Sequence, residues 1–278
     1  MTDQEKLIGE HPKAPHIFGL WWNSTDVLAT DRKKHRQLTE NPAIRNVAIN
    51  QLAQWIVESH VTDFNLNLLA RQKAILEKHE LEQYVDTLRL IPKSGITQKG
   101  NLGEIVLIEY LKESKGFTPY VHKLHYNPNS EQSMKGDDVL MFNKTDLNAE
   151  VIYGECKFRG TPTAGVVGEI VGNLEGLKKL PVSLNFVANR LSEAGEKDLA
   201  EQIVDLLLKI YNGEVPVTNV GFLISKSSKR AGCGTSAIVE GNLDTSNPRL
   251  VMISLGVDNP EDIVTKAFRK AEEILITQ

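Results

Sequence analysis

The alternation of apolar and polar positions changes character along the chain. From Asn41, with Pro42 opening the first turn, Ile44, Val47, Ala48, Leu52, Trp55 and Ile56 form one stripe of a helix that runs to about residue 60. A second helical stretch is expected over about 64–90, carried by Leu66, Leu68, Leu69, Ile75, Leu81 and Leu88. Residues 91–95, Ile-Pro-Lys-Ser-Gly, break the pattern and mark the best candidate boundary. The first stretch, 1–92, therefore reads as a mainly helical cap or partner-docking region, and 93–278 as the main domain. Within 99–114, Leu102, Ile105, Val106, Ile108 and Leu111 return at helical spacing with Glu104 in the first turn. Further on, 163–179 reads as a glycine-interrupted helix and 192–211 as an amphipathic helix. Residues 217–230 and 248–257 each hold a strand, and Pro260 opens a terminal helix. Such mixing of strands and helices predicts an α/β fold with a mixed sheet flanked by helices.

Two runs in the middle of the chain carry the chemistry. Val139 to Phe142 is short and wholly apolar, as suits a strand covered on both faces. Asn143, Lys144, Thr145, Asp146 and Asn148 are turn formers. Val151 to Phe158 is rich in β-branched and aromatic residues. The pattern predicts a hairpin with its tip near 146–147, in which facing residues have numbers summing to about 293. Asp138 would then face Glu155, with Cβ atoms about 4.5–5.5 Å apart, close enough for one cation to bridge them. Side chains alternate along a strand, so Lys157 projects beside Glu155, while Ile152, Gly154, Cys156 and Phe158 take the core face. Acidic and basic groups on a covered face are costly without partners, and a bound divalent ion would supply one. An ordinary solvent-exposed Glu and Lys is the plain alternative.

Asp138, the apolar strand and the Glu155-x-Lys157 strand together resemble the PD-(D/E)xK nuclease superfamily, with Asp137-Asp138 in place of Pro-Asp. That resemblance implies a core ordered helix, strand, strand with ExK, helix, strand. More narrowly, KGNLGE at 99–104, KGDDVLMF at 135–142 and YGECKFRG at 153–160 resemble the HamA family, nuclease subunits of Hachiman anti-phage defence systems, over residues 95–275. It implies that Asp138, Glu155 and Lys157 are catalytic and that Glu104 and Asp137 assist Asp138 and Glu155 in holding metal. It further implies Mg²⁺ as cofactor, with Mn²⁺ able to substitute, and DNA as substrate. A helicase subunit, HamB, is the implied partner. The doubled aspartate leaves open which of Asp137 and Asp138 takes the metal; Asp138 is favoured because it directly precedes the apolar run.

Charge and cysteine content refine this expectation. The formal net charge is −4, with 11 basic and 11 acidic residues over 91–180 and 10 against 13 over 181–278. A neutral segment with an acidic site would hold DNA weakly by itself, so delivery of substrate by a partner is expected. Lys226, Lys229 and Arg230 form the most DNA-plausible basic loop. The clusters Asp31–Arg36 and Lys178-Lys179 are read as a solvated turn and a helix C-terminus. No apolar run approaches a membrane span, the N-terminal stretch is unlike a signal peptide, and Cys156 and Cys233 stand apart. A reduced, cytoplasmic protein is expected. Two rival readings are a thiol hydrolase using Cys156 with His122 or His125, and a non-catalytic DNA- or partner-binding adaptor.

Overall fold

A computed structural model describes residues 1–278 except 128, 133, 135, 176–181, 229, 231 and 278. Lys178, Lys179, Lys229 and Lys135 of the KGDD motif therefore lie outside the described residues. In chain order the helices are α1 (Asp3–Ile8), α2 (Ile17–Trp21), α3 (Arg45–His60), α4 (Asp63–Lys78), α5 (Gly95–Lys115), α6 (Ala164–Glu175), α7 (Val182–Glu193), α8 (Lys197–Tyr211), α9 (Thr235–Asn242) and α10 (Pro260–Thr277). The strands are β1 (Trp22–Asp26), β2 (His35–Glu40), β3 (Phe117–Thr118), β4 (Val139–Asn143), β5 (Val151–Arg159), β6 (Val217–Lys226) and β7 (Leu250–Val257).

Among the described residues the strands form one seven-stranded sheet in the order β1-β2-β7-β6-β5-β4-β3. Strands β2, β7, β6 and β5 run parallel, whereas β1, β4 and β3 join antiparallel at the two edges. The expected α/β fold with a mixed, helix-flanked sheet is what forms. Both faces of the central strands are apolar, which explains their unbroken hydrophobic runs. On one face, Met141, Ile152, Phe222 and Ile253 pack with residues of α3, α5 and α10. On the other, Phe142 and Val151 meet α7 and α8, while Leu223 and Met252 meet α6 and α9.

The boundary expected near residue 92 does not separate two cores. β1 and β2 extend the same sheet through β7, and Leu52 and Ile56 of α3 share a core with Ala267 and Phe268 of α10. The first stretch is thus partly β structure: β1 falls within residues 16–29, whose sequence admits a strand and turn, whereas the polar β2 left no such signal. Two residues of the Asp31–Arg36 cluster, His35 and Arg36, also enter the fold rather than a solvated turn. Arg36 is buried with its guanidinium on Asp26 at 2.7 Å, and His35 is buried in β2. Where one helix was expected over 192–211, α7 ends at Glu193, Gly195 adopts φ +90°, and α8 begins at Lys197. That left-handed conformation suits glycine and stops the helix.

Candidate active site

The hairpin forms in the expected register. Val139 pairs with Gly154, Leu140 with Tyr153, Met141 with Ile152 and Phe142 with Val151, so every pair sums to 293. Continued one step, the register sets Asp138 across from Glu155. At that step the Asp138 carboxylate takes over from the backbone ladder, its Oδ2 accepting from the Cys156 amide at 2.8 Å. Gly154 permits the close approach behind this point: a Cβ there would lie 2.8 Å from Leu107 of α5 and 2.9 Å from Val139. A side chain at 154 would force the hairpin away from α5, which carries Glu104.

Lys157 and Glu155 form an ion pair of 2.8 Å, and Lys157 also lies 3.0 Å from Glu169 of α6. Asn173, one turn further along α6, donates to Glu155 Oε1 at 2.9 Å. Burial alone would lower the Lys157 pKa, but the two carboxylates outweigh it and raise the pKa above the ordinary lysine range. The ammonium group therefore stays charged.

Glu104 joins the same cluster from α5. Its Oε2 lies 2.8 Å from Lys123, yet no donor meets that buried oxygen in good hydrogen-bond geometry. Burial, reinforced by the charges of Asp138 and Glu155 and only partly offset by Lys123, pushes Glu104 up to about 7. Asp138 is likewise raised, first by burial and then by Glu155. The charge of Glu155 thus disfavours ionisation of both Glu104 and Asp138 in a largely covered space.

Asp137 goes elsewhere. Its carboxylate accepts from the Ser183 hydroxyl on α7 at 2.8 Å, and its carbonyl accepts from Lys123 at 3.1 Å. Between the two aspartates, it is Asp138 that faces the Glu155 side chain. Lys226, the last residue of β6, and Arg230, in the loop that follows, are exposed. Because β6 runs parallel to β5 with Ser225 beside Arg159, that loop leaves the sheet at the same edge as the C-terminal end of β5.

Cys156 points into the core face, where Gly103 of α5 approaches it. Burial pushes its thiol well above the usual range, so no ready thiolate is present for nucleophilic work. His122 is held down to about 4 by burial, and its ring stands 5.4 Å from that of His125. Among the described residues, no three His, Cys, Asp or Glu side chains form a ready-made metal cage. An all-oxygen set of one or two carboxylates completed by water suits Mg²⁺, which dehydrates reluctantly, better than zinc. The unsatisfied Glu104 oxygen and the mutual repulsion of the acids fit such a cation.

A family model described as HamA matches residues 15–271. The chain belongs to the HamA family. A Bacillus cereus protein named Hachiman protein HamA is 40% identical over 276 residues, spanning 99% of this chain and 98% of its relative. In this HamA-family chain, sequence reasoning overlooked Lys123, Glu169, Asn173 and Ser183. Glu169 and Asn173 left a signal: they stand four apart on α6 beside the apolar positions Val167, Ile170, Val171 and Leu174. Lys123 and Ser183 left none, since one sits in a short 3-10 turn and the other at the start of a helix whose apolar stripe went unread.

Proposed function

We propose that this chain is a metal-dependent DNA nuclease of the PD-(D/E)xK kind, acting in the cytoplasm as the effector of the Hachiman anti-phage defence system together with a helicase partner. The observation that carries the reading is the convergence of Asp138, at the head of β4, with Glu155 and Lys157 of the adjacent β5. With β3 inserted after α5, and α7 and α8 inserted after α6, the order α5, β4, β5, α6, β6 is in keeping with the order expected of such a core. The name of the Bacillus cereus relative supports the assignment to Hachiman defence. No helix among the described residues is long and apolar enough to cross a membrane.

Asp138 and Glu155 would hold the cation, with Glu104 as a third carboxylate beneath them. Mg²⁺, or Mn²⁺ in its stead, supplies a Lewis acid for a phosphodiester oxygen and for the attacking water. Lys157, kept charged by Glu155 and Glu169, neutralises negative charge gathering on the phosphorus and orients the water; it is no general base. Asn173 fixes the rotamer of Glu155, and Lys123 anchors Glu104 and the Asp137 backbone. Lys226 and Arg230, with Lys229 between them in sequence, would contact the DNA backbone.

The test is incubation of plasmid DNA with the purified chain, alone and with the proposed helicase partner, in Mg²⁺ or EDTA. Cleavage products are expected in Mg²⁺ and not in EDTA or with Glu155→Ala. DNA binding that is insensitive to EDTA and yields no products under any condition would favour a non-catalytic adaptor instead.

A further inference from the structure

Glu169 enters the chemistry above only by helping Glu155 keep Lys157 charged, yet it engages both cations on the outer half of β5. Residues 155, 157 and 159 alternate onto one face of the strand. Glu169 Oε1 lies 3.0 Å from the Lys157 ammonium and Oε2 lies 3.6 Å from the Arg159 guanidinium. One carboxylate thus divides its two oxygens between a lysine and an arginine. A phosphodiester presents two non-bridging oxygens in the same manner, and arginine and lysine side chains are the usual means of holding them. The exposures differ in a telling way: Lys157 is 18% exposed, whereas Arg159 and Glu169 are 42% and 45% exposed.

We propose that Lys157 and Arg159 together form a two-cation seat for a DNA backbone phosphate, and that Glu169 occupies this seat in the free protein as a built-in competitor. This rests on the nuclease reading and adds Arg159 and Glu169 to the substrate-binding side of the site. Displacing Glu169 is cheap for two reasons. It is half-exposed and recovers water when it turns aside, and a partly exposed ion pair of this sort is weak. Lys157 meanwhile keeps Glu155 as a partner at 2.8 Å. The consequence is reduced affinity for DNA in a chain whose net charge is already −4.

The experiment is fluorescence anisotropy with a labelled DNA duplex, with Ca²⁺ in place of Mg²⁺, on wild type, Glu169→Gln, Glu169→Ala and Arg159→Gln. Removing the competitor is expected to tighten binding about two- to fivefold, the fold-change matching a weak, half-exposed ion pair. Arg159→Gln weakens binding, and the gain from Glu169→Gln shrinks when both changes are combined. Either Glu169 variant suffices if the other fails to fold. Unchanged or weaker binding in folded Glu169 variants overturns the proposal. So does a collapse of Mg²⁺-dependent cleavage to the level of Glu155→Ala, which would place Glu169 among the metal-holding acids. If wild type cuts DNA and Lys157→Ala does not, yet the Glu169 variants bind no tighter, this inference falls and the nuclease reading stands. If wild type neither binds nor cuts DNA, both fall.

Discussion

The two ends of β5 each carry a cluster of charges, and the two are built differently. Before the strand begins, Glu150 accepts hydrogen bonds from the Thr218 hydroxyl and the Arg249 guanidinium and lies 3.3 Å from Lys115. There one acid meets two cations and a hydroxyl, and the Arg249 guanidinium is further tied to the Val217 carbonyl at 3.2 Å. At the other end, Glu104, Asp138 and Glu155 share a covered space with Lys123 and Lys157, and one Glu104 oxygen is left without a proper donor. The first cluster is closed and serves the fold. The second holds more acid than its cations neutralise, which costs stability unless something positive is added. An excess of buried acid beside a retained lysine is therefore the better marker of a working site than the mere presence of charge.

The largest contrast is expected from mutation. Lys157→Ala and Glu155→Ala should lower DNA cleavage by at least roughly 10²–10³-fold, as loss of a transition-state charge stabiliser does, while melting temperatures stay near wild type. Glu150→Ala should do the reverse, leaving two cations without their acid. We expect it to cost roughly 2–3 kcal/mol in denaturant unfolding, reduced from the fully buried case because Arg249 is part-exposed. A nuclease defect of similar size in folded Glu150→Ala would erase the distinction between the two clusters.

A pH series probes the acid-rich end alone. Glu104 titrates near 7 when folded against an ordinary value of 4.5, so in that window the folded state holds a proton that the unfolded chain has released. Its stabilising contribution is complete below about pH 4.5 and is lost as pH rises through about 7 in the metal-free protein. The effect is on the order of 3 kcal/mol, and Glu104→Gln should flatten that part of the stability–pH curve. An unchanged curve in the variant would remove Glu104 from the cluster. The paired aspartates give a further contrast, in which the stability effect is the smallest. Asp138→Asn should abolish cleavage, whereas Asp137→Ala, which loses the bond accepted from Ser183, should cost about 1 kcal/mol of stability and leave cleavage within about tenfold of wild type. Equal defects would mean that Asp137 reaches the metal after all.

The legible parts of this chain were those set by local pattern. The β4–β5 register followed from an apolar run, a polar turn and a period of two, so Asp138, Glu155 and Lys157 could be placed from sequence. α5 was legible because Leu102, Ile105, Val106 and Leu111 repeat at helical spacing, but it begins at Gly95, so Glu104 stands in mid-helix and not in the first turn as expected. What stayed hidden depends on distant contacts. β2 is polar in sequence, His-Arg-Gln-Leu-Thr-Glu, and becomes a strand through parallel pairing with β7, more than two hundred residues away. Arg36 looked like part of a basic surface cluster, yet it is buried because Asp26 across the β1–β2 pair, the Gly9 carbonyl and the Tyr110 hydroxyl receive its guanidinium. Lys123 follows the same logic: its only sequence neighbours of note are histidines, and its meaning comes from Glu104 on another element.

Calorimetric titration of Mn²⁺ into the purified, metal-free chain, wild type beside Glu155→Gln and Glu150→Gln, addresses the difference between the two ends of β5 without any assay of cleavage. Binding to wild type and to Glu150→Gln, with strong loss in Glu155→Gln, is the result expected. Equal Mn²⁺ affinity in all three proteins, or none in any, would contradict the account.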